Sequence, residues 1–305
     1  MTRIVGLDIG SGYTKCYDGA HRVIFPSVYS YRQANIWEEK DGIVEGIGEN
    51  ALSIAQHPNA VKLYPIIEGK PQHQTFIKLA QEALNRLSIN PFEKARLISG
   101  VPYETGRVER ENIKELFLQN LDVQDATIYP QSTGTLFDLE LQSGTIINVG
   151  HGTTEILVVE MRNLLTGMSE PLASDYVITG LSNHIQAKYG FKPTLEDVIA
   201  LMNGNSDYVT AFGKVTVHRA DVTRLIAESI RHLAEKVSYD VRYLISQLPA
   251  NMECTRNLVL SGGGSLIPGL RDALKEQLKT SLLAPEDPIF SNALGFYKMG
   301  QMLYG

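Results

Sequence analysis

The chain has 305 residues, a hydrophobic content of 43% and a formal net charge of −6. This length predicts two globular domains, and the acidic balance argues against a dedicated nucleic-acid binder, which normally carries a basic domain or stripe. The two distant cysteines, Cys16 and Cys254, exclude a disulfide framework and a CxxC motif and favour the reducing cytoplasm. No apolar run of about 18 residues occurs, so no membrane span is predicted.

The chain opens on a strand, a glycine turn and a second strand. Residues 4–15 read IVGLDIGSGYTK, in which the first strand ends near Asp8 and the turn contains Gly10 and Gly12. Glycines without Cβ let backbone N–H groups approach an anion closely. The turn also carries hydroxyls and a positive charge, on Ser11, Thr14 and Lys15. The pattern favours a phosphate site with a metal-binding carboxylate, although an ordinary hairpin has the same pattern.

The next part of the first half alternates between helix and strand patterns. A third short strand is expected at 22–25, and the mixed polar stretch at about 27–70 is predicted to be a small insertion. Helices at 72–87 and 108–119 then alternate with strands at 95–101 and 126–129. This alternation is typical of an α/β layer.

The opening pattern returns in the middle of the chain. Residues 145–160 read TIINVGHGTTEILVVE, again an apolar strand, a polar residue, a GxG turn and a second strand. The repeat predicts two similar halves, each beginning with a glycine turn. Two such turns facing a shared cleft would suit the several phosphates of a nucleotide.

The second half is predicted to contain a long helix and a third glycine motif. A strand is expected at 175–178, and helices at 181–188, 195–202, 220–247, 270–279 and 291–303. Between a strand at 257–260 and a helix start lies SGGGSLIPGL, with three consecutive glycines at 262–264. Bare backbone there suits close contact with a nucleobase or ribose, although a strand-to-helix turn would also accept glycines.

These three motifs resemble those of the actin, Hsp70 and hexokinase superfamily, and within it the bacterial and archaeal plasmid-partition actins. The resemblance spans nearly the whole chain, and SGGGSLIPG, similar to the family's adenosine motif, is its most specific part. It implies an α/β fold of duplicated, ribonuclease-H-like domains with a nucleotide cleft between them. The implied domains are 1–144 with helix 291–305, and 145–290 with an insertion at about 180–218.

The resemblance also implies the site residues. Asp8 would take the metal-side carboxylate role, and Gln131 in YPQSTGTL would orient the attacking water, as the corresponding actin glutamine does. A helix-start glutamine in solvent is the alternative for Gln131. The implied nucleotide contacts are Gly10, Ser11, Gly12, Tyr13, Thr14, Lys15, Gly150, His151, Gly152, Thr153, Gly262, Gly263 and Gly264.

The second loop departs from the family pattern. Asn148 stands where the family has aspartate, and His151 stands between the two glycines. Asn148 keeps the shape and is counted with the catalytic residues, but it brings no charge to the metal's waters. Slow hydrolysis and a greater dependence of the metal on Asp8 are therefore expected. His151 either approaches a phosphate or faces solvent. Glu155, on the returning strand, is interpreted as structural.

The resemblance implies an ATPase that binds ATP, or possibly GTP, with Mg²⁺ and forms head-to-tail filaments. Plasmid segregation would then proceed through a DNA-binding adaptor, without direct nucleic-acid contact by this chain. A small-molecule kinase of the same fold and a non-polymerising ATP-binding adaptor are the alternatives. An activator of a radical or iron–sulfur enzyme is disfavoured because the two cysteines are far apart in sequence.

Overall fold

The computed structural model describes residues 3–35, 42–88, 94–211 and 213–305. The chain divides into two compact units, one formed by Met1–Gln142 with Pro285–Gly305 and the other by Ser143–Ala284. The elements of the first unit are β1 Ile4–Ile9, β2 Tyr13–Tyr17, β3 Arg22–Pro26, β4 Tyr29–Gln33, β5 Ile43–Ile47, α1 Glu49–Ile54, β6 Val61–Leu63, β7 Ile66–Ile67, β8 Lys70–Pro71, α2 His73–Arg86, β9 Ala95–Val101, α3 Arg107–Asn120, β10 Val123–Pro130 and α4 Thr133–Asp138.

The second unit follows directly. Its elements are β11 Gly144–Val149, β12 Thr154–Glu160, β13 Asn163–Glu170, α5 Ser174–Tyr189, α6 Leu195–Asn203, β14 Tyr208–Ala211, β15 Val215–His218, α7 Arg219–Ser246, β16 Leu258–Ser261 and α8 Leu270–Leu278, with short 3-10 turns at Glu253–Thr255 and Gly263–Leu266. The last helix, α9 Ser291–Tyr304, belongs to the first unit.

The central sheet of the first unit has the strand order β10-β9-β1-β2-β3. The strands β1, β2 and β3 form an antiparallel meander, whereas β9 and β10 run parallel to β1. One face packs on α2 and α3, where the rings of Phe76 and Phe117 stack at 5.8 Å. In α9, Phe296 is fully buried and packs with Ile98 of β9. The predicted α/β layering of this half is thus present.

Glycine allows α9 to lie directly on the strands of the first unit. A Cβ at Gly6 of β1 would overlap the carbonyl of Ala293, and one at Gly100 of β9 would overlap the ring of Phe296. Real Cβ atoms do not approach other atoms so closely. These two glycines are therefore required by packing, and they fix the depth at which α9 sits.

The second unit repeats the arrangement around a sheet of order β13-β12-β11-β16. Strand β11 pairs antiparallel with β12 and parallel with β16, just as β1 pairs antiparallel with β2 and parallel with β9. The core of this unit lies between the sheet and the buried faces of α5, α6, α7 and α8. The internal repeat in sequence is therefore also a repeat in strand pairing.

One predicted element is wrong. The segment 175–178 was expected to be a strand, but it lies in the first turns of α5. The buried side chains of this helix are spaced three and four residues apart, at Ser174, Val177, Ile178, Leu181, Ser182 and Ile185. A short apolar run has no visible period of its own, and packing against α7 selects the helix.

The two ranges predicted to be insertions contain small elements of their own. Within 27–70, the described residues form the three-stranded sheet β5-β4-β6, the helix α1 and the small hairpin β7-β8. Within 180–218 lie the end of α5, α6 and the β14-β15 hairpin. Among the residues that the structure describes, no helix is both long and apolar enough to cross a membrane.

Candidate functional site

The first glycine turn connects β1 and β2. The N–H of Gly10 donates to the carbonyl of Tyr13 at 3.1 Å and closes the turn. The pairing of the two strands places Asp8 opposite Lys15. Gly10 and Gly12 do not have positive φ. Gly10 therefore acts through its missing side chain, since a Cβ there would lie 3.2 Å from the Tyr13 carbonyl and 3.5 Å from Lys15 Nζ.

A charged cluster forms at the end of β1. Lys15 Nζ donates to Asp8 Oδ2 at 2.6 Å, and the Gln131 side-chain amide donates to Asp8 Oδ1. The side chain of Asp8 is only 2% exposed and that of Lys15 is 12% exposed. The structure thus brings together three of the predicted site residues. Gln131 is 8% exposed, so the solvent-facing alternative for this glutamine is wrong.

The other predicted residues of this turn differ in exposure. Ser11 and Gly12 are half-buried, and Tyr13 is exposed. Thr14 is fully buried, and its hydroxyl is hydrogen-bonded to that of Ser27 at 2.8 Å. The N–H of Ser27 also donates to the carbonyl of Gly12. Thr14 and Ser27 therefore fix the turn by hydrogen bonds. Ser27 was not predicted as a site residue because it precedes β4, outside any glycine motif.

The second glycine turn has the same construction. The N–H of Gly150 donates to the carbonyl of Thr153 at 2.9 Å, as Gly10 does to Tyr13. Asn148 stands opposite Glu155 across the strand pair, in the place that Asp8 and Lys15 occupy in the first turn. Gly150, His151, Gly152 and Thr153 are all half-buried. The two turns therefore match in backbone pattern but differ in the charges beside them.

The third glycine motif lies against the second turn. Gly262 has φ of +82°, and a Cβ there would overlap Asn148 Oδ1 and the carbonyl of Val149. A Cβ built on Gly264 would likewise overlap the side chain of Val149. By contrast, nothing lies within 4 Å of a Cβ built on Gly263. Two of the glycines are thus required by packing on β11, and Gly263 faces open space.

His151 is tied to the start of α5. The N–H of Asp175 donates to the His151 carbonyl at 2.8 Å, and the Ser174 hydroxyl donates to the Gly150 carbonyl at 2.9 Å. The imidazole Nε2 of His151 lies 3.9 Å from Asp175 Oδ1. This contact was not predicted because the segment that forms the start of α5 was interpreted as a strand. These bonds orient the carbonyls of the turn toward α5.

The two thiols have no reactive character. Burial raises the pKa of Cys16 to about 12, and burial together with the neighbouring Glu160 raises that of Cys254 to about 12. A nucleophilic thiol needs a lowered pKa and an exposed sulfur. Both cysteines are therefore packing residues.

The described residues contain no group of three or more His, Cys, Asp or Glu side chains able to hold a metal ion. A single carboxylate at the glycine turn still fits Mg²⁺ bound with a nucleotide, because that ion keeps several waters and uses one or two carboxylates plus phosphate oxygens. Asp8 provides a buried carboxylate at the glycine turn. A structural zinc or calcium site would need more protein ligands than the Asp8 carboxylate alone.

Two α/β units built around the same glycine-turn pattern define an actin-like protein. The family model described as MreB/Mbl protein matches residues 2–304, so this chain belongs to the MreB/Mbl family. A curated relative, the cell shape-determining protein Mbl of Bacillus subtilis (strain 168), is 23% identical over 328 residues, covering 97% of this chain and 95% of that protein.

Solved structures agree on the fold. MreB5 of Spiroplasma citri bound to ADP matches with a TM-score of 0.79 and 15% identity, covering 100% of this chain and 99% of that one. A MamK double helical filament matches with a TM-score of 0.81 and 18% identity over 99% of both chains. The predicted actin-like fold is confirmed. The narrower likeness to plasmid-partition actins is not, because the matched family is MreB/Mbl and its curated relative Mbl is named a cell shape-determining protein.

Proposed function

We propose that this protein binds ATP through its two glycine turns and the third glycine motif. The observation that carries the proposal is the matched construction of the turns, each closed by a backbone bond from the first glycine to the residue three positions on. Turns of this kind leave N–H groups available to phosphate oxygens. The ADP bound to the similar MreB5 of Spiroplasma citri supports an adenine nucleotide, and GTP is the alternative.

Charge complementarity supports this assignment in the first turn. Lys15 is a cation at the turn, and its ion pair with Asp8 holds the ammonium beside Gly10. A phosphate bound at the turn would accept hydrogen bonds from backbone N–H groups and from Lys15. Asp8 would face the Mg²⁺ that accompanies the nucleotide and would hold it through water, since its carboxylate is already bonded to Lys15 and Gln131.

Hydrolysis of the bound ATP is the proposed activity. Phosphoryl transfer to water depends on alignment and charge neutralisation rather than on a covalent role for the protein. Gln131 is held by Asp8 and would align the attacking water, while bound Mg²⁺ would neutralise charge on the phosphates. Asn148 contributes no charge, so we expect slow turnover.

Nucleotide-dependent filaments are the proposed form of action. The likeness to a MamK double helical filament and to Mbl supports self-association and a role in cell shape. Plasmid segregation through a DNA-binding adaptor receives no support from these relatives. A cytoplasmic location would suit a filament that uses ATP. The second candidate is a non-polymerising ATP-binding adaptor, which the neutral Asn148 favours because it predicts weak turnover.

Light scattering and negative-stain microscopy, each with and without ATP and Mg²⁺, test the filament. We expect scattering to rise and filaments to appear only with both ligands. Absence of filaments at high protein concentration, together with measurable ATP binding, would favour the adaptor. A small-molecule kinase would instead transfer phosphate to an added acceptor such as a sugar. Absence of nucleotide binding altogether would contradict the proposal.

A further inference from the structure

The short helix that follows Gln131 lies directly on the last helix of the same unit. α4 begins at Thr133, and a Cβ on Gly134 would overlap the carbonyl of Asn292 in α9. A Cβ on Gly295 of α9 would in turn overlap the carbonyl of Gly134. The backbones of the two helices are thus in contact at these positions, with no side chain between them.

A buried cluster of polar side chains lies at the same contact. The hydroxyl of Thr135 donates to Asn292 Oδ1 at 2.9 Å and lies 2.8 Å from the hydroxyl of Ser291. Thr135, Ser291 and Asn292 are 0%, 1% and 4% exposed. Hydrogen bonds are directional and are stronger in a low-dielectric interior than in water. The cluster therefore fixes the register of α4 on α9, which apolar packing alone would leave freer.

The backbone of Gln131 is joined to this contact. Its N–H donates to the carbonyl of Val101 at 2.8 Å, and its carbonyl accepts from the N–H of Gly134 at 3.3 Å. A Cβ on Gly100 of β9 would lie 2.7 Å from the Cα of Gln131. The Gln131 backbone is therefore held by β9 on one side and by the first turn of α4 on the other. The position of α4 thus sets where the Gln131 side chain starts on its way to Asp8.

We propose that Thr135 positions Gln131 for ATP hydrolysis, through its contacts with Ser291 and Asn292. This inference rests on the proposed function, in which Gln131 aligns the attacking water. Thr135 is a positioning residue, because a side chain that is 0% exposed acts through α4 and does not touch the nucleotide. The attacking water must lie in line with the bond that breaks, and a small displacement of a reacting group lowers the rate strongly. Loss of the Thr135 hydroxyl should therefore slow turnover without weakening nucleotide binding.

The test is the turnover of Thr135→Val, which removes the hydroxyl and keeps the branched shape of the side chain. We expect kcat for phosphate release to fall by about 10-fold, with an unchanged KM for ATP and an unchanged affinity for a fluorescent ATP analogue. Thr135→Ser retains a hydroxyl and should restore most of the rate. Thr127→Val is the matched control, since it removes another hydroxyl that contacts α9, at 3.2 Å from the Tyr304 hydroxyl, and its kcat should not change.

The same substitution in a Gln131→Ala background separates positioning from a general structural effect. If Thr135 acts through Gln131, Thr135→Val should cause no further loss of rate once the glutamine side chain is absent. An equal loss in both backgrounds would overturn the inference while leaving the proposed ATPase activity intact, and so would an unchanged kcat in Thr135→Val. Absence of ATP hydrolysis by the unchanged protein would instead overturn the proposed activity itself, and this inference with it.

A second variant covers the case in which Thr135→Val does not fold. Ser291→Ala removes the hydroxyl that Thr135 contacts and leaves the bond from Thr135 to Asn292 in place. We expect a smaller loss of kcat than in Thr135→Val, again only when Gln131 is present. An unchanged kcat in folded Ser291→Ala would contradict a role of this cluster in hydrolysis.

Discussion

The side-chain amide of Gln131 donates a hydrogen bond to Oδ1 of Asp8, a residue 123 positions earlier in the chain. The bond joins the residue that follows β10 to the end of β1, with β9 between the two strands. The group proposed to align water and the group proposed to face the metal are therefore held in one fixed arrangement. Substitution of Gln131 tests its proposed role while Asp8 keeps its ion pair with Lys15.

Gln131→Ala should slow phosphate release more than it slows polymerisation. Misplacing a reacting group by about 1 Å can cost about 100-fold in rate, and we expect a loss of up to that size. Phosphate release and light scattering, followed in the same sample, provide the measurement. Gln124→Ala, on the exposed side of β10, is the matched control and should leave both rates unchanged. Equal loss of both activities in Gln131→Ala would contradict the water-aligning role.

The ion pair of Lys15 and Asp8 should contribute strongly to stability when one partner is removed. Lys15→Met leaves a carboxylate that is 2% exposed without its ammonium, so we expect the free energy of unfolding to fall by about 3–5 kcal/mol. Asp8→Asn combined with Lys15→Met should lose less, because no buried charge remains. Urea denaturation measures both effects.

Arg224→Met is the control for the Lys15 and Asp8 variants. The Arg224 and Glu228 side chains are 92% and 48% exposed, and water screens such an exposed pair, so Arg224→Met should leave stability nearly unchanged. If the double variant at residues 8 and 15 proves as unstable as Lys15→Met alone, the buried charge is not the source of the loss.

The adjacent glycines of the third motif should respond differently to alanine. Gly262→Ala introduces a Cβ at φ of +82° and against Asn148 and Val149, so we expect a loss of stability of about 1–3 kcal/mol. Gly263→Ala meets no atom within 4 Å and should leave stability nearly unchanged. If the open space at Gly263 receives the nucleotide, that second change should nevertheless weaken ATP binding.

Thermal unfolding and fluorescence titration with an ATP analogue distinguish the two variants. Unchanged nucleotide affinity in a stable Gly263→Ala protein would exclude contact between this residue and the nucleotide. Gly180→Ala, in α5 of the same unit, also meets no atom within 4 Å and serves as the control for the fluorescence titration, in which nucleotide affinity should not change.

Asp18 should make stability depend on acidic pH. Burial opposes its charge, but the N–H groups of His21 and Ala20 and the Arg3 guanidinium outweigh burial and lower the pKa of Asp18 from 3.8 to about 2. A lowered pKa in the folded state adds stability above the unfolded-state pKa and loses it as the pH falls through the folded-state value. The contribution of Asp18 should thus be complete above about pH 4 and disappear toward about pH 2.

Urea denaturation at several pH values checks this expectation. Asp18→Asn should lower stability at neutral pH and reduce the further loss between pH 4 and 2. Asp272, whose side chain is 85% exposed, supplies the control, and Asp272→Asn should retain the pH dependence of the unchanged protein. Identical pH profiles for Asp18→Asn and the unchanged protein would show that Asp18 is not the group responsible.

Local patterns made the glycine turns and most elements predictable. The strand β9 was predicted with its exact bounds, and α7 and α9 to within one residue at each end, because long periodic segments carry their own signal. The segment at the start of α5 was misassigned because a short apolar run suits either a strand or a helix. Its contact with the second turn, through Ser174 and Asp175, was therefore missed as well.

The sequence by itself determined the two glycine turns, their repetition and the fold class, since these depend on neighbouring residues and on hydrophobic period. Only the tertiary structure decided which distant side chains meet: Gln131 with Asp8, Asn148 with Gly262, and Thr14 with Ser27. The physical reason is strand register. A shift of one residue in the pairing of β1 with β9, or of β11 with β16, would turn every side chain to the other face. That pairing is selected by burial of the whole sheet, which no short stretch of sequence encodes.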